Sequence, residues 1–269
     1  MKYKMVVMDI DDTLIKDDKT ISVAVKSAIE KAQKMGVKVV LASGRPTFAM
    51  RKLEKELELD KYGSYIISFN GAVVTESAGD RDIFTMPVKM MDAHELYDVS
   101  KEYGLFIQTY LGDNIVTEEN NAFTEIEAEI TGMEIKIVDD FKKSVDRDVI
   151  KLIMLEEPEK LKKAGKEIAE RFAGRLSVAI SKPFFLEFTD NGIDKASAID
   201  FLVKREKITK EEVIAIGDSY NDLSMIKYAG LGVCMANGKE EVKKESDYIA
   251  PSNEEDGVAH VFEKFIFNN

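Results

Sequence analysis

The stretch that decides the fold stands near the start of the chain and reads Met5-Val6-Val7-Met8-Asp9-Ile10-Asp11-Asp12-Thr13. Four apolar residues that run directly into acidic, turn-forming residues predict a strand buried on both faces. The three carboxylates then lie at the carboxyl end of that strand, which is the edge where open parallel α/β sheets bind ligands. Such a cluster is either a solvated acidic turn or a site for a hard cation, because charged oxygen ligands suit Mg²⁺.

The composition is that of an ordinary globular protein of about two domains. The chain has 269 residues, of which 45% are hydrophobic and 33% are charged. Its net charge of −12 argues against a general binder of nucleic acid or of membrane surfaces. An anionic substrate would therefore have to be neutralised locally, by a metal, a lysine and backbone N–H groups.

The cysteine count and the apolar stretches predict a cytoplasmic protein. Cys234 has no second cysteine with which to form a disulfide or a metal cluster, which fits a reducing compartment. The apolar run near the N-terminus is broken at Asp9, too early for a signal peptide. No apolar stretch approaches the roughly 20 residues that a membrane span needs.

A βαβ unit follows from the pattern after the first strand. Ser22 is a suitable N-cap for a helix that ends near Gly36, and residues 37–42 repeat the buried-strand pattern. The two strands should be parallel. The second one ends in Ser43-Gly44-Arg45-Pro46, at the same sheet edge as Asp9. Ser43 is there either a helix cap or a group that binds phosphate at a helix N-terminus.

An inserted module is predicted after the third strand, Tyr65–Phe69, which ends in Asn70-Gly71. Residues 72–75 and 83–86 read as a β-hairpin, the first antiparallel element and the edge of a domain. Beyond it, strands and helices follow without βα spacing, which is typical of an α+β module. The predicted division is a catalytic core of residues 1–85 and 191–269, and an inserted domain of residues 86–190.

The C-terminal part returns to the pattern of the first strand. Lys195 opens a helix, where the dipole disfavours a cation, so it is either solvent-facing or shares its site with an anion. A strand at 212–217 runs into Asp218, and Asp222 follows on the same side. Paired acids at a helix start can be simple caps, but two separate strands that each end in acids are hard to explain by capping alone.

Together these patterns predict a site for phosphoryl chemistry. Parallel topology brings to one edge Asp9, Asp11, Ser43, Lys195, Asp218, Asn221 and Asp222. Carboxylates from two strands can hold Mg²⁺, and a lysine, a hydroxyl and N–H groups can neutralise phosphoryl oxygens. One ionised aspartate can attack phosphorus, and a second one can act as general acid and then base.

The motifs that carry this chemistry resemble those of the haloacid dehalogenase-like (HAD) phosphatases. The resemblance covers essentially the whole chain, and its four motifs are Asp9-x-Asp11-x-Thr13, Ser43-Gly44-Arg45, Lys195 before a helix, and Gly217-Asp218-x-x-Asn221-Asp222. The insert is similar to the α+β cap of the Cof-type subfamily, which includes sugar-phosphate phosphatases. The resemblance implies an α/β fold, a Rossmann-like parallel-sheet HAD core with an inserted α+β cap domain of the C2 type.

The resemblance also implies roles for single residues. Asp9 would be the nucleophile and a Mg²⁺ ligand, and Asp11 the general acid/base with its carbonyl on the metal. Asp218 would be the third protein ligand, and Asp222 would support the metal shell. Lys195 would restrain Asp9, and the residues that bind phosphate or substrate would be Ile10, Ser43, Gly44, Asn70, Lys195 and Asn221.

Two positions depart from the family pattern. The family usually has glycine at Asp12 and often has glycine at Ala196. Asp12 adds charge beside the site, although aspartate tolerates turn geometry. It also makes the second acid ambiguous by one residue, and the spacing favours Asp11.

The predicted activity is Mg²⁺-dependent hydrolysis of small phosphorylated metabolites, sugar phosphates above all, through an aspartyl-phosphate. The expected partner is a small phosphate ester, not nucleic acid or membrane, and the expected state is a monomer or homodimer. The alternatives are a phosphotransferase or phosphomutase with the same intermediate, and a non-catalytic phosphate-binding domain. A Rossmann dehydrogenase is disfavoured because no glycine fingerprint follows the first strand. Serine–histidine hydrolysis is disfavoured because His94 and His260 lie far from the motifs.

Overall fold

The protein divides into two compact units. The computed structural model describes residues 2–268. The first unit contains the chain up to Phe84 and again from Asp194 on, and the second unit is Thr85–Ile193. The domain boundaries predicted from the sequence lie after residues 85 and 190, and the roles of core and cap stay predictions. Within residues 2–268, no helix combines the length and the apolar character that a bilayer crossing requires.

The N-terminal part of the first unit alternates strands and helices and then reverses. Its elements are β1 (Met5–Met8), α1 (Val23–Lys34), β2 (Lys38–Ala42), α2 (Thr47–Glu56), β3 (Tyr65–Ser68), β4 (Val73–Glu76) and β5 (Arg81–Thr85). The predicted cap of α1 is confirmed, since the Ser22 hydroxyl accepts the N–H of Val25 at 3.1 Å. Strand β1 is buried on both faces as predicted: Val6 and Met8 pack into one hydrophobic cluster, and Met5 and Val7 into another.

The second unit is an α+β module. Its elements are α3 (Met90–Tyr103), β6 (Phe106–Leu111), β7 (Asn114–Thr117), α4 (Ala122–Thr131), β8 (Glu134–Ile137), α5 (Phe141–Ser144), β9 (Leu152–Leu155), α6 (Pro158–Arg171), β10 (Leu176–Lys182) and β11 (Phe185–Asp190). The strands form one sheet in the order β10-β11-β9-β6-β7-β8, parallel only between β7 and β8 among its described pairs. Its core joins this sheet to α3 and α6 through residues such as Leu96, Leu152 and Ile168.

The chain then completes the sheet of the first unit. The remaining elements are α7 (Lys195–Glu206), β12 (Val213–Gly217), α8 (Leu223–Tyr228), β13 (Leu231–Met235), α9 (Glu240–Lys244), β14 (Tyr248–Ala250) and α10 (Gly257–Phe262). The eight strands lie in the order β14-β13-β12-β1-β2-β3-β4-β5, and every pair from β14 to β3 is parallel. The predicted α/β fold, with a parallel sheet in the first unit and an inserted α+β module, is thereby confirmed. Met8 pairs with Ile216 on one side and with Leu41 on the other, so β1, β12 and β2 end at the same level.

The first antiparallel pair comes one strand earlier than the sequence predicts. Strand β4 runs antiparallel to β3, with Ser68 opposite Val73. The reversal is made by three successive residues of positive φ: Phe69 (50°), Asn70 (56°) and Gly71 (110°). An asparagine–glycine pair is a typical signal for a tight reversal, because both residues tolerate positive φ. The prediction was wrong because it read this pair only as the end of a strand.

Candidate active site

Two neighbouring strand ends bring the predicted carboxylates together. Asp9 follows β1, and its N–H donates to the carbonyl of Ile216 in β12 at 2.9 Å. Asp218 follows β12 directly. Asp9, Asp218 and Asp222 are all buried, and each offers an oxygen within 4.8 Å of the others. The parallel pairing of β1 with β12 is therefore what joins two motifs that lie 209 residues apart, from Asp9 to Asp218.

Lys195 lies at the centre of this cluster. Its Nζ is 2.5 Å from Asp9 Oδ1 and 2.6 Å from Asp222 Oδ1, and its side chain is fully buried. The alternative of a solvent-facing lysine is therefore wrong. The start of α7 is held by a capping box, in which the N–H of Ser197 donates to the Asp194 carboxylate at 2.8 Å. This cap fixes the point from which Lys195 enters the site.

The reversal after β3 packs against the same cap. A Cβ at Gly71 would lie 2.2 Å from the carbonyl oxygen of Asp194, the residue before Lys195. Gly71 also has φ +110°, a conformation that side chains disfavour. Only glycine therefore lets the two backbones approach this closely.

We expect Gly71→Ala to destabilise the protein by about 2 kcal/mol or more and to lower its activity, because the clash must displace the backbone that carries Lys195. Gly79→Ala is the matched control, since Gly79 has φ +104° but an added Cβ there would meet nothing within 4 Å. The control should lose about 1–2 kcal/mol from φ strain alone and keep its activity. Denaturant unfolding and a turnover assay on both variants measure the difference. Equal losses in the two variants would contradict the role given to the close approach.

Asp222 uses both of its oxygens to hold other groups. Oδ1 accepts from Lys195, and Oδ2 accepts the N–H groups of Asp218 at 2.9 Å and Ser219 at 3.0 Å. A Cβ at Gly217 would lie 2.5 Å from the Asp222 side chain, so the glycine makes room for this contact. Asp222 thus organises Lys195 and the turn after β12.

The oxygens that remain belong to Asp9 and Asp218. Thr13 Oγ1 donates to Asp218 Oδ1 at 3.0 Å, and Lys195 occupies Asp9 Oδ1. The second oxygen of each, Asp9 Oδ2 and Asp218 Oδ2, accepts no hydrogen bond from residues 2–268. Two such oxygens on adjacent strand ends are suitable ligands for a hard cation.

Within residues 2–268, the three buried carboxylates of the cluster are balanced by only one buried ammonium group, that of Lys195. Burial raises the pKa of Asp9 well above its ordinary value, Lys195 opposes this, and the Asp222 and Asp218 carboxylates add to it. Burial, and then the charge of Asp222, raise the pKa of Asp218 to about 6. Burial alone would lower the pKa of Lys195, but Asp9 and Asp222 more than offset it, so the pKa is raised and the ammonium stays charged. Three buried carboxylates around one ammonium thus fit a divalent cation.

Asp11 lies outside this cluster. Its side chain is 42% exposed and is gripped by Arg45, with Nε donating to Oδ2 at 2.8 Å and a terminal guanidinium nitrogen donating to Oδ1 at 2.6 Å. Lys19 Nζ is 3.8 Å from Oδ1. Among the described residues, the carboxylates that could share a metal ion are those of Asp9, Asp218 and Asp222, and the Asp11 carboxylate is not among them. Asp11 could therefore bind the metal only through its backbone carbonyl, as the family resemblance implies.

Asp12 adopts the conformation that explains why glycine is usual at its position. Its φ of 58° and ψ of 8° lie in the left-handed region, which aspartate tolerates better than most residues. Its carbonyl accepts from the side-chain amide of Asn237 at 2.7 Å. Asp12 is exposed, so it adds charge at the rim rather than within the cluster.

The residues predicted to bind phosphate form a second group at the same sheet edge. The N–H of Asn70 donates to the Ser43 carbonyl at 2.9 Å, and Asn221 donates to the Asn70 side chain at 3.2 Å. A Cβ at Gly44 would lie 3.1 Å from the amide nitrogen of that side chain. The Ile10 side chain is fully buried in the core, so only its backbone can face a ligand.

Three supporting residues were missed by sequence reasoning. Thr13 belongs to the first motif and Arg45 to the second, but only the fold brings them to their partners, Asp218 and Asp11. Asn237 carries no local signal. Asn237 lies in the loop after β13, where its side-chain amide donates to the Asp12 carbonyl and its side-chain oxygen accepts the N–H of Asn253 at 3.1 Å. It therefore connects the loop around Asp12 with the loop around Asn253.

The family model that matches this chain describes a haloacid dehalogenase-like hydrolase and spans residues 6–262. Among curated relatives, a Bacillus subtilis 5-amino-6-(5-phospho-D-ribitylamino)uracil phosphatase is 31% identical over 268 residues, covering 98% of this chain and 96% of the relative.

Solved structures agree with this match. A haloacid dehalogenase-like hydrolase from Bacteroides thetaiotaomicron has a TM-score of 0.93 at 38% identity, covering 98% of this chain and all of that one. A sugar phosphatase of HAD subclass IIB has a TM-score of 0.80 at 25% identity, covering 97% of this chain and 98% of that one.

Proposed function

Because this chain belongs to the haloacid dehalogenase-like hydrolase family and is a phosphatase of that family, we propose that it hydrolyses small phosphorylated metabolites, sugar phosphates above all. The proposed reaction depends on Mg²⁺ and passes through an aspartyl-phosphate. The observation that carries the proposal is the buried cluster of Asp9, Lys195, Asp218 and Asp222, at the sheet edge where β2 also ends before Ser43. The substrate class is supported by the likeness to a solved sugar phosphatase. The proposal includes a cytoplasmic location, supported by the single cysteine.

The chain offers a consistent ligand set for the cation. Asp9 and Asp218 would bind through the carboxylate oxygens that Lys195 and Thr13 leave free, and Asp11 would contribute its carbonyl. Asp222 would support these ligands through its contacts with Lys195 and with the N–H of Asp218. When bound, Mg²⁺ supplies the positive charge that keeps Asp9 ionised and neutralises the phosphoryl oxygens.

In the first step, an Asp9 carboxylate oxygen attacks phosphorus in line with the ester oxygen. The Asp9 O–P bond forms as the P–O bond to the alcohol breaks, and the Asp11 carboxylic acid gives its proton to the leaving oxygen. Lys195 holds Asp9 in place and offsets charge on the transferring group. The Ser43 hydroxyl and the N–H of Gly44 bind the remaining phosphoryl oxygens.

In the second step, the Asp11 carboxylate takes a proton from a water molecule. The water oxygen bonds to phosphorus, and the bond from phosphorus to Asp9 breaks. Inorganic phosphate leaves, and both aspartates return to their starting protonation states. The two steps together consume one water and release one alcohol.

The proposed function is tested by a screen of phosphorylated metabolites, with released inorganic phosphate as the readout. We expect stoichiometric phosphate release from hexose or pentose phosphates, and none from the Asp9→Asn protein. The screen should include the substrate that names the Bacillus subtilis relative. Transfer of phosphate to a second sugar without release would instead indicate a phosphotransferase. Binding of phosphate esters without turnover would indicate a non-catalytic domain.

A further inference from the structure

The contact between Arg45 and Asp11 is a two-point ion pair between two motifs. Both carboxylate oxygens of Asp11 accept from one guanidinium group, at 2.8 and 2.6 Å. This fork geometry fixes the orientation of a carboxylate plane, which a single contact from a lysine does not. The Asp11 side chain is 42% exposed and lies in a loop whose next residue is left-handed, so packing alone does not hold it.

Arg45 itself is held by the segment after β2, which contains Ser43 and Gly44, and by the reversal after β3. Its N–H donates to Ser43 Oγ at 3.2 Å, and its carbonyl accepts the N–H of Phe69 at 3.0 Å. Its side chain is 23% exposed. One residue thus connects the loop that binds phosphate with the carboxylate that exchanges protons.

We propose that Arg45 is a positioning residue that orients the Asp11 carboxyl group for proton transfer to the leaving oxygen and from water. The inference rests on the proposed function and adds a determinant of leaving-group dependence to it. In the first step the Asp11 oxygen that carries the proton faces the ester oxygen and gives up its contact with Arg45, while the other oxygen keeps its contact and holds the group in line. In the second step the guanidinium steadies the carboxylate that accepts the proton of water.

The test separates proton transfer from phosphate binding by changing the leaving group. Glucose 6-phosphate releases a poor leaving group that needs a proton, whereas 2,4-dinitrophenyl phosphate releases a phenolate that needs none. Under single-turnover conditions, Arg45→Gln should slow glucose release about 10- to 100-fold, and dinitrophenolate release by less than about 2-fold. Arg45→Lys, which keeps the charge but not the fork, should fall between wild type and Arg45→Gln with glucose 6-phosphate.

A double-variant cycle tests whether the effect passes through Asp11. In an Asp11→Asn background, Arg45→Gln should have no further effect on glucose release, because the group that it orients is already disabled. Arg51→Gln is the matched control, since Arg51 has a similar exposed fraction of 26% and pairs with Glu54 and Asp80 instead. It should behave like wild type with both substrates.

Equal slowing of both substrates by Arg45→Gln, or the same slowing in the Asp11→Asn background, would overturn the positioning role and leave the phosphatase assignment standing. Unchanged rates would overturn it as well. A wild-type protein that cleaves neither of these esters nor any ester of the metabolite screen would instead remove the proposed function, and the inference would fall with it.

Discussion

Asp9→Asn is expected to reduce phosphate release by a factor of about 10⁴ or more, because an amide cannot form the bond to phosphorus. The fold should survive. The amide oxygen can still accept from Lys195, and burial already disfavours the charge that the substitution removes. With divalent cations chelated, we therefore expect a melting temperature equal to that of the wild type or higher.

Two neighbouring substitutions serve as references for Asp9→Asn. Asp12→Asn removes an exposed acid from the same loop, and asparagine tolerates its left-handed conformation, so most of the activity should remain. Asp11→Asn should lose about 10²- to 10⁴-fold with alkyl phosphates, which also settles which of the two adjacent acids transfers the proton. Phosphate release assays and thermal melts of all three variants provide the comparison. Appreciable turnover by Asp9→Asn would defeat the covalent mechanism.

Removal of divalent cations by EDTA should abolish turnover, and Mg²⁺ should restore it. The physical reason is the excess of buried negative charge around Lys195, where burial and Asp222 raise the pKa of Asp218 to about 6. A cation that binds only the folded state also stabilises it, by about 2.7 kcal/mol at 100 times the dissociation constant. The melting temperature should therefore rise by about 5 °C when Mg²⁺ is added to the chelated protein.

Asp218→Asn should lose both the activity and the thermal response to Mg²⁺. Asp200→Asn is the control, because it removes an acid that pairs with Lys204 on helix α7. It should keep the Mg²⁺-dependent rise in melting temperature. Turnover that is indifferent to chelation, together with a melting temperature that does not change with Mg²⁺, would refute the metal assignment.

The local sequence pattern was sufficient to predict the strands that carry the site residues. The apolar run before Asp9 and the similar run before Asp218 specify buried parallel strands, and parallel strands end at a common edge. The position of Lys195 at the start of a helix allowed either a solvent-facing side chain or a partner for an anion, and the resemblance to the phosphatase family favoured the anion. Local pattern failed at Asn70-Gly71, where a reversal of the chain was read as the end of a strand.

The sequence by itself thus determined which residues arrive at the sheet edge, since strand length and burial are encoded within a few neighbouring residues. Only the tertiary structure decided how those residues pair. Asp222 holds Lys195 instead of standing free, Arg45 grips Asp11, and Gly71 packs against Asp194. The physical reason is that each of these contacts joins segments 27 to 123 residues apart, so its geometry depends on how separate loops pack and not on the local spacing of residue types.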